Sequence, residues 1–91
     1  MVVMAHGSDG LLVTLKRDLV QQFDGIADVE YLEVDKRGGV VRMEAGVALD
    51  DDHGRIEFEG TGLTIQHAYA HLVHQGAVAW MVSRFNQLTA P

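Results

Sequence analysis

Three histidines, His67, His71 and His74, are the residues whose type and spacing are best suited to chemistry. Spacings of four and three place them on one face of a helix, because an α-helix turns once in about 3.6 residues. Neutral imidazole is a common ligand of zinc, copper and nickel. The pattern therefore predicts a site for a divalent transition metal. His6, His53 or a second copy of the chain would complete it, since no carboxylate or cysteine is placed to do so.

Two other interpretations of these histidines stay open. They could form a contact inside an interface that responds to pH, because imidazole titrates near neutrality. They could equally form a polar patch that faces solvent. Hydrolysis assisted by a bound metal would follow only from the metal interpretation.

Other catalytic constellations are not visible in the sequence. The two serines, Ser8 and Ser83, lie in no recognisable nucleophile elbow, and segment 7–10 lacks the lysine and the glycine spacing of a phosphate-binding loop. The carboxylates at 50–52 are consecutive, whereas a calcium-binding EF-hand loop places its ligands at alternate positions, so we interpret segment 50–54 as a solvated turn. The protein is therefore predicted not to be an enzyme.

Composition and charge restrict the classes of function further. The chain has 91 residues, of which 47% are hydrophobic, carries a formal net charge of −6 and contains no cysteine. This is typical of one small globular domain over 1–91, with a flexible N-terminus at 1–7 and stability supplied by packing alone. The seven Lys and Arg residues are scattered, which argues against nucleic-acid binding. Neither a signal peptide nor an apolar segment of roughly 18 residues is present, so we expect a soluble, cytoplasmic protein.

The period of the hydrophobic residues identifies the elements that must position the histidines. Intervals of three and four between Leu12 and Phe23 predict an amphipathic helix over about 8–23, capped by Ser8 or Asp9 and stopped by the following Asp-Gly pair. A strand over 11–15 is the alternative. From Ile26 onward the period changes to two and predicts three antiparallel strands, over 29–34, 40–49 and about 55–59.

The first two strands are predicted to pair through a tight turn centred on Gly38 and Gly39. Apolar side chains then share one face of the sheet and polar side chains the other. Glu33 and Glu44 would face each other, a repulsion that a bulge would relieve. The predicted pairs are Leu32 with Ala45, Val34 with Met43, Asp35 with Arg42, Tyr31 with Gly46, and Glu33 with Glu44.

A second helix is predicted over about 63–88, after a break at Gly60-Thr61-Gly62, with Thr61 or Thr64 as its cap. Two stripes run along this helix. The stripe expected to face the sheet contains Ile65, Tyr69, Leu72, Gly76, Ala79 and Ser83. The opposite stripe contains His67, His71, His74, Val78, Met81, Phe85 and Leu88.

The sequence therefore predicts an α+β fold of two layers in the order α-β-β-β-α, with a three-stranded antiparallel sheet covered on one face by two helices. Both stripes of the last helix cannot pack on one small sheet. We therefore expect a protein–protein interaction module, an adaptor, inhibitor or assembly factor, that forms a homodimer through the last helix or binds another protein. A break at Gly76, with a fourth strand after it, would remove this expectation. The predicted interface contains His74, Val78, Met81, Phe85 and Leu88.

Overall fold

The change of hydrophobic period near residue 26 divides the chain into a helix, three strands and a second helix. The structure, a computed structural model, describes residues 5–50 and 54–89, with side chains described over 10–50 and 54–86. The three strands form one antiparallel sheet in the order β1-β2-β3, and the predicted α+β fold is confirmed. The elements are α1 (Ala5–Gln22), β1 (Ile26–Arg37), β2 (Val40–Leu49), β3 (Arg55–Gly62) and α2 (Ile65–Thr89).

The β1–β2 hairpin has the predicted turn and register. Gly38 and Gly39 have φ angles of 55° and 81°, the left-handed conformations that a two-residue turn of this type requires. All five predicted pairs are present, including Glu33 opposite Glu44. No bulge separates these two glutamates. The register shifts lie nearer the start of β1, between residues 26 and 28 and between 29 and 31.

The core lies between the inner face of the sheet and both helices. Met43, at the centre of β2, is fully buried, as are Leu15 of α1 and Leu72 of α2. All three belong to one cluster of buried apolar side chains. Burying a leucine or methionine contributes about 1.5–3 kcal/mol, so this cluster fixes both helices on the same face of the sheet.

The first helix starts earlier than predicted. It begins at Ala5, so Ser8 and Asp9 lie inside it and the prediction that either caps its start is wrong. A helix start can be solvated by water and does not require a capping side chain. The predicted stop is confirmed, because α1 ends at Gln22 and Gly25 has a φ of 85°. Segment 11–15 is helical rather than the alternative strand.

Two glycines of β3 allow α2 to approach the sheet closely. A methyl group on Gly60 would overlap the backbone nitrogen of Leu72 and lie 2.6 Å from the carbonyl oxygen of Ala68. A methyl group on Gly62 would lie 2.7 Å from the backbone nitrogen of Ala68. The predicted break at 60–62 is therefore wrong, because these residues continue β3 and their lack of side chains makes room for the helix.

The second helix is continuous across Gly76, which excludes the alternative of a break and a fourth strand there. A methyl group on Gly76 would lie 2.8 Å from the ring of Phe58, so this glycine makes space for an aromatic side chain of the sheet. Of the two predicted caps, Thr64 is the one used: its hydroxyl oxygen accepts a hydrogen bond of 3.1 Å from the backbone N–H of His67. Neither helix, over the residues described, is long and apolar enough to cross a membrane.

Candidate interaction surface on the second helix

One side of α2 packs on the sheet largely as predicted. Ala68 and Leu72 are fully buried, and Gly76 is buried against β3. Ile65 was expected on this side but is 41% exposed. Ile65 lies instead at a groove between the β1–β2 turn and the start of α2, which Val41 also lines.

Two polar contacts that the sequence did not reveal join α2 to the first part of the chain. The hydroxyl of Tyr69 donates a hydrogen bond of 2.5 Å to the Asp18 carboxylate. The indole N–H of Trp80 donates one of 3.0 Å to the carbonyl oxygen of Asp24, and its ring lies 5.0 Å from that of Phe23. Burial and the Asp18 carboxylate raise the pKa of Tyr69 above its ordinary value. These contacts fix the rotation of α2 about its axis.

The opposite side of α2 presents apolar side chains to solvent. Val78 is 39% exposed, Met81 54%, Val82 53% and Phe85 64%. We call these four residues the outer patch. Val82 was not among the residues predicted for this side. The side chain of Leu88, which was, lies outside those described.

Beyond Trp80, the described part of α2 contains no buried residue on any side. The sheet and α1 therefore cover only the first part of the helix. The outer patch lies largely on the part that extends past them. Contiguous exposed apolar side chains of this kind are typical of surfaces that bind another protein.

The three histidines lie on the exposed side of α2, but one of them has a structural role. The Nδ1 atom of His71 accepts a hydrogen bond of 3.0 Å from the backbone N–H of Thr61 in β3. In a neutral ring the proton is then on Nε2, which lies 3.1 Å from the side-chain amide of Gln75. A neutral Nε2–H requires the amide oxygen, rather than the nitrogen, to face it. Binding a metal through His71 would disrupt one of these contacts.

Within the described ranges, no three His, Asp or Glu side chains are grouped so that they could hold a metal ion. His67 and His74 are exposed on either side of His71. The further ligands considered in the sequence, His6 and His53, lie outside the side chains that the structure describes. The metal site therefore stays a prediction, without support from the described geometry.

Charge is distributed unevenly between α2 and the rest of the chain. α2 contains no Asp or Glu, and Arg84 is its single Lys or Arg residue. The remaining chain carries all thirteen acidic residues against six basic ones, a net charge of −7. The guanidinium of Arg84 lies 5.4 Å from the centre of the Trp80 ring, a cation–π contact next to the outer patch.

Much of the acidic charge lies on the open face of the sheet, away from both helices. Arg42 forms an ion pair of 2.8 Å with Glu59. Tyr31 donates hydrogen bonds to two carboxylates, of 3.1 Å to Glu44 and 3.2 Å to Glu57. Desolvation and these carboxylates raise the pKa of Tyr31 to about 12. Tyr31 and Arg42 thus offset the repulsion between facing glutamates, and no bulge is needed.

A groove of about 520 Å³ lies between the β1–β2 turn and the start of α2. Lys36 and Arg37 line it together with apolar Val41 and Ile65, but Arg37 already forms an ion pair of 3.3 Å with Asp35. Over the described residues, no buried side-chain nitrogen or oxygen lacks a hydrogen-bond partner. The groove therefore presents no buried polar group that a ligand would complete.

Comparisons of the chain with protein-family models, with curated proteins and with solved structures found no match.

Proposed function

We propose that the protein is an interaction module, rather than an enzyme, and that it self-associates through the outer patch of α2. The observation that carries this proposal is a row of half-exposed apolar side chains on a continuous helix, in the part that the sheet and α1 leave uncovered. A second copy of the helix would cover them.

The absence of carboxylates from α2 supports a second copy as the partner. Two chains of charge −6 repel each other. Among the described elements, α1 and all three strands carry Asp or Glu, whereas α2 carries none. Contact through α2 therefore brings two copies together without placing their carboxylates in the interface.

The size of the outer patch sets the expected affinity. Each of its four side chains is about half exposed, so covering one contributes about 1 kcal/mol, and two copies together contribute about 8 kcal/mol. Association costs at least about 4 kcal/mol of translational and rotational freedom. About 4 kcal/mol then remains, which corresponds to a dissociation constant of about 1 mM.

Analytical ultracentrifugation between about 100 µM and 2 mM, a range that spans this dissociation constant, tests the proposal. The mass of the wild-type protein should rise from the 10.0 kDa of one chain towards twice that value. Met81→Glu places a charge in the patch and should keep the protein monomeric over the whole range.

Val13→Glu is the matched control. Val13 is 65% exposed on α1, so the same kind of substitution is made on a helix surface away from the patch. This variant should associate like the wild type, and circular dichroism should show that both variants are folded. A wild-type protein that stays monomeric at the highest concentration, or a Met81→Glu variant that associates normally, contradicts the proposal.

A further inference from the structure

We infer that the two copies pair antiparallel, with the C-terminal half of one α2 against the C-terminal half of the other. The two-fold axis passes α2 at the level of Ser83, so that Met81 of one copy faces Phe85 of the second copy. This inference rests on the proposed function and specifies the geometry of its interface.

The distribution of side chains along the outer side of α2 favours this orientation. The N-terminal half presents His67, His71 and His74, and the C-terminal half presents the outer patch. A parallel pair would bury imidazoles against imidazoles, which costs desolvation of polar groups. An antiparallel pair centred at residue 83 overlaps only the apolar halves and leaves the histidines in solvent.

The position of the acidic charge also favours the antiparallel orientation. In each copy the sheet packs against the first part of α2, and the chain outside α2 carries a charge of −7, with thirteen acidic residues against six basic ones. A parallel pair would place these two acidic bodies at the same level along the helices, one on either side of the helix pair. An antiparallel pair places them at opposite ends.

The separation in the antiparallel pair is large compared with electrostatic screening. Residue 70 lies 13 residues from the axis, so positions 70 of the two copies are about 39 Å apart along the helices. The Debye length is about 8 Å at physiological ionic strength. Repulsion between the two acidic bodies is therefore almost fully screened in this arrangement.

The absence of cysteine allows the orientation to be measured with a single label. Ala70→Cys introduces one thiol at an exposed position of α2 outside the outer patch. A nitroxide label there, with double electron–electron resonance, should give an interspin distance of about 40 Å in the antiparallel pair and about 20 Å or less in a parallel one. Adding Met81→Glu should remove the dipolar signal.

The outcomes separate the two proposals. A labelled protein that sediments as a dimer and gives a distance of about 20 Å or less overturns the antiparallel orientation and leaves self-association standing. If the labelled protein and the unlabelled wild type both sediment as monomers, the proposed function itself is overturned.

Oxidation of a second variant checks the geometry independently. In a parallel pair, the two copies of Val78→Cys lie opposite each other and should form a disulfide readily. In the antiparallel pair they are about 15 Å apart along the helices, beyond the reach of a disulfide. Efficient formation of a covalent Val78→Cys dimer from the native dimer would overturn the inference.

Discussion

Replacing Gly60 by alanine should destabilise the protein strongly, although it adds only one methyl group. The methyl group would overlap the backbone nitrogen of Leu72 and lie 2.6 Å from the carbonyl oxygen of Ala68. Ordinary van der Waals contacts of carbon begin near about 3.5 Å. Both obstacles are backbone atoms of α2, so no side-chain rotation can relieve the overlap. The helix must move away from β3 by about 1 Å.

The size of the destabilisation follows from the packing contacts that this movement weakens. Ala68 and Leu72 are fully buried, and a gap of about 1 Å forfeits a quarter to a half of the dispersion energy of each contact. Overpacking of cores costs about 1–3 kcal/mol, and we expect the upper end, about 3 kcal/mol. For a domain of this size each kcal/mol lowers the melting temperature by about 4–8 °C, so the variant should melt about 12–24 °C below the wild type.

Gly10→Ala is the matched control with the opposite sign. Gly10 lies inside α1, and a methyl group there would have no heavy atom within 4 Å. Alanine is favoured over glycine inside a helix by about 0.8–1 kcal/mol, so this variant should be more stable than the wild type. Thermal unfolding followed by circular dichroism measures the stability of both variants. All samples need the same protein concentration, because association adds to stability. A Gly60→Ala variant within 0.5 kcal/mol of the wild type, roughly the usual scatter of a neutral substitution, would refute the close packing of α2 on β3.

Two further predictions concern polar contacts. Tyr69→Phe removes the hydrogen bond to the Asp18 carboxylate and should lower the free energy of unfolding at neutral pH by about 1 kcal/mol in urea titrations; no change would show that this contact does not hold α1 and α2 together. The hydrogen bond and charge of Arg42 lower the pKa of Glu59, so the stabilisation is present above the ordinary carboxyl pKa and is lost as the pH falls through the lowered value. Glu59→Gln should therefore weaken the loss of stability between about pH 5 and pH 2, and an unchanged pH profile would contradict this role.

The hairpin could be predicted in detail because its signals are local. Two adjacent glycines fix the turn, and the alternation of apolar residues fixes which face of β2 is buried. The pairing of Glu33 with Glu44 followed from these two facts alone, and it was correct. What the sequence could not show was Tyr31 donating a hydrogen bond to Glu44, because that contact depends on the rotamers of the two side chains.

Errors arose where one residue type serves two purposes. Glycine commonly ends an element, and this property led to the predicted break at 60–62, whereas Gly60 and Gly62 make room for α2 within a strand. The bond between His71 and Thr61 joins residues ten positions apart, and Trp80 reaches a carbonyl 56 positions away. Contacts of this kind depend on how the elements pack, which periodicity alone does not specify.

Both outer strands of the sheet have features that discourage the addition of another strand. Near the start of β1, two register shifts interrupt the regular ladder of hydrogen bonds, and irregular edges pair poorly with foreign strands. At the end of β3, His71 occupies the backbone N–H of Thr61, a donor that a further strand would need. Strand addition is open-ended and leads to fibres, whereas a two-fold contact between helices is complete with two members. The sheet edges therefore favour assemblies of limited size over aggregation.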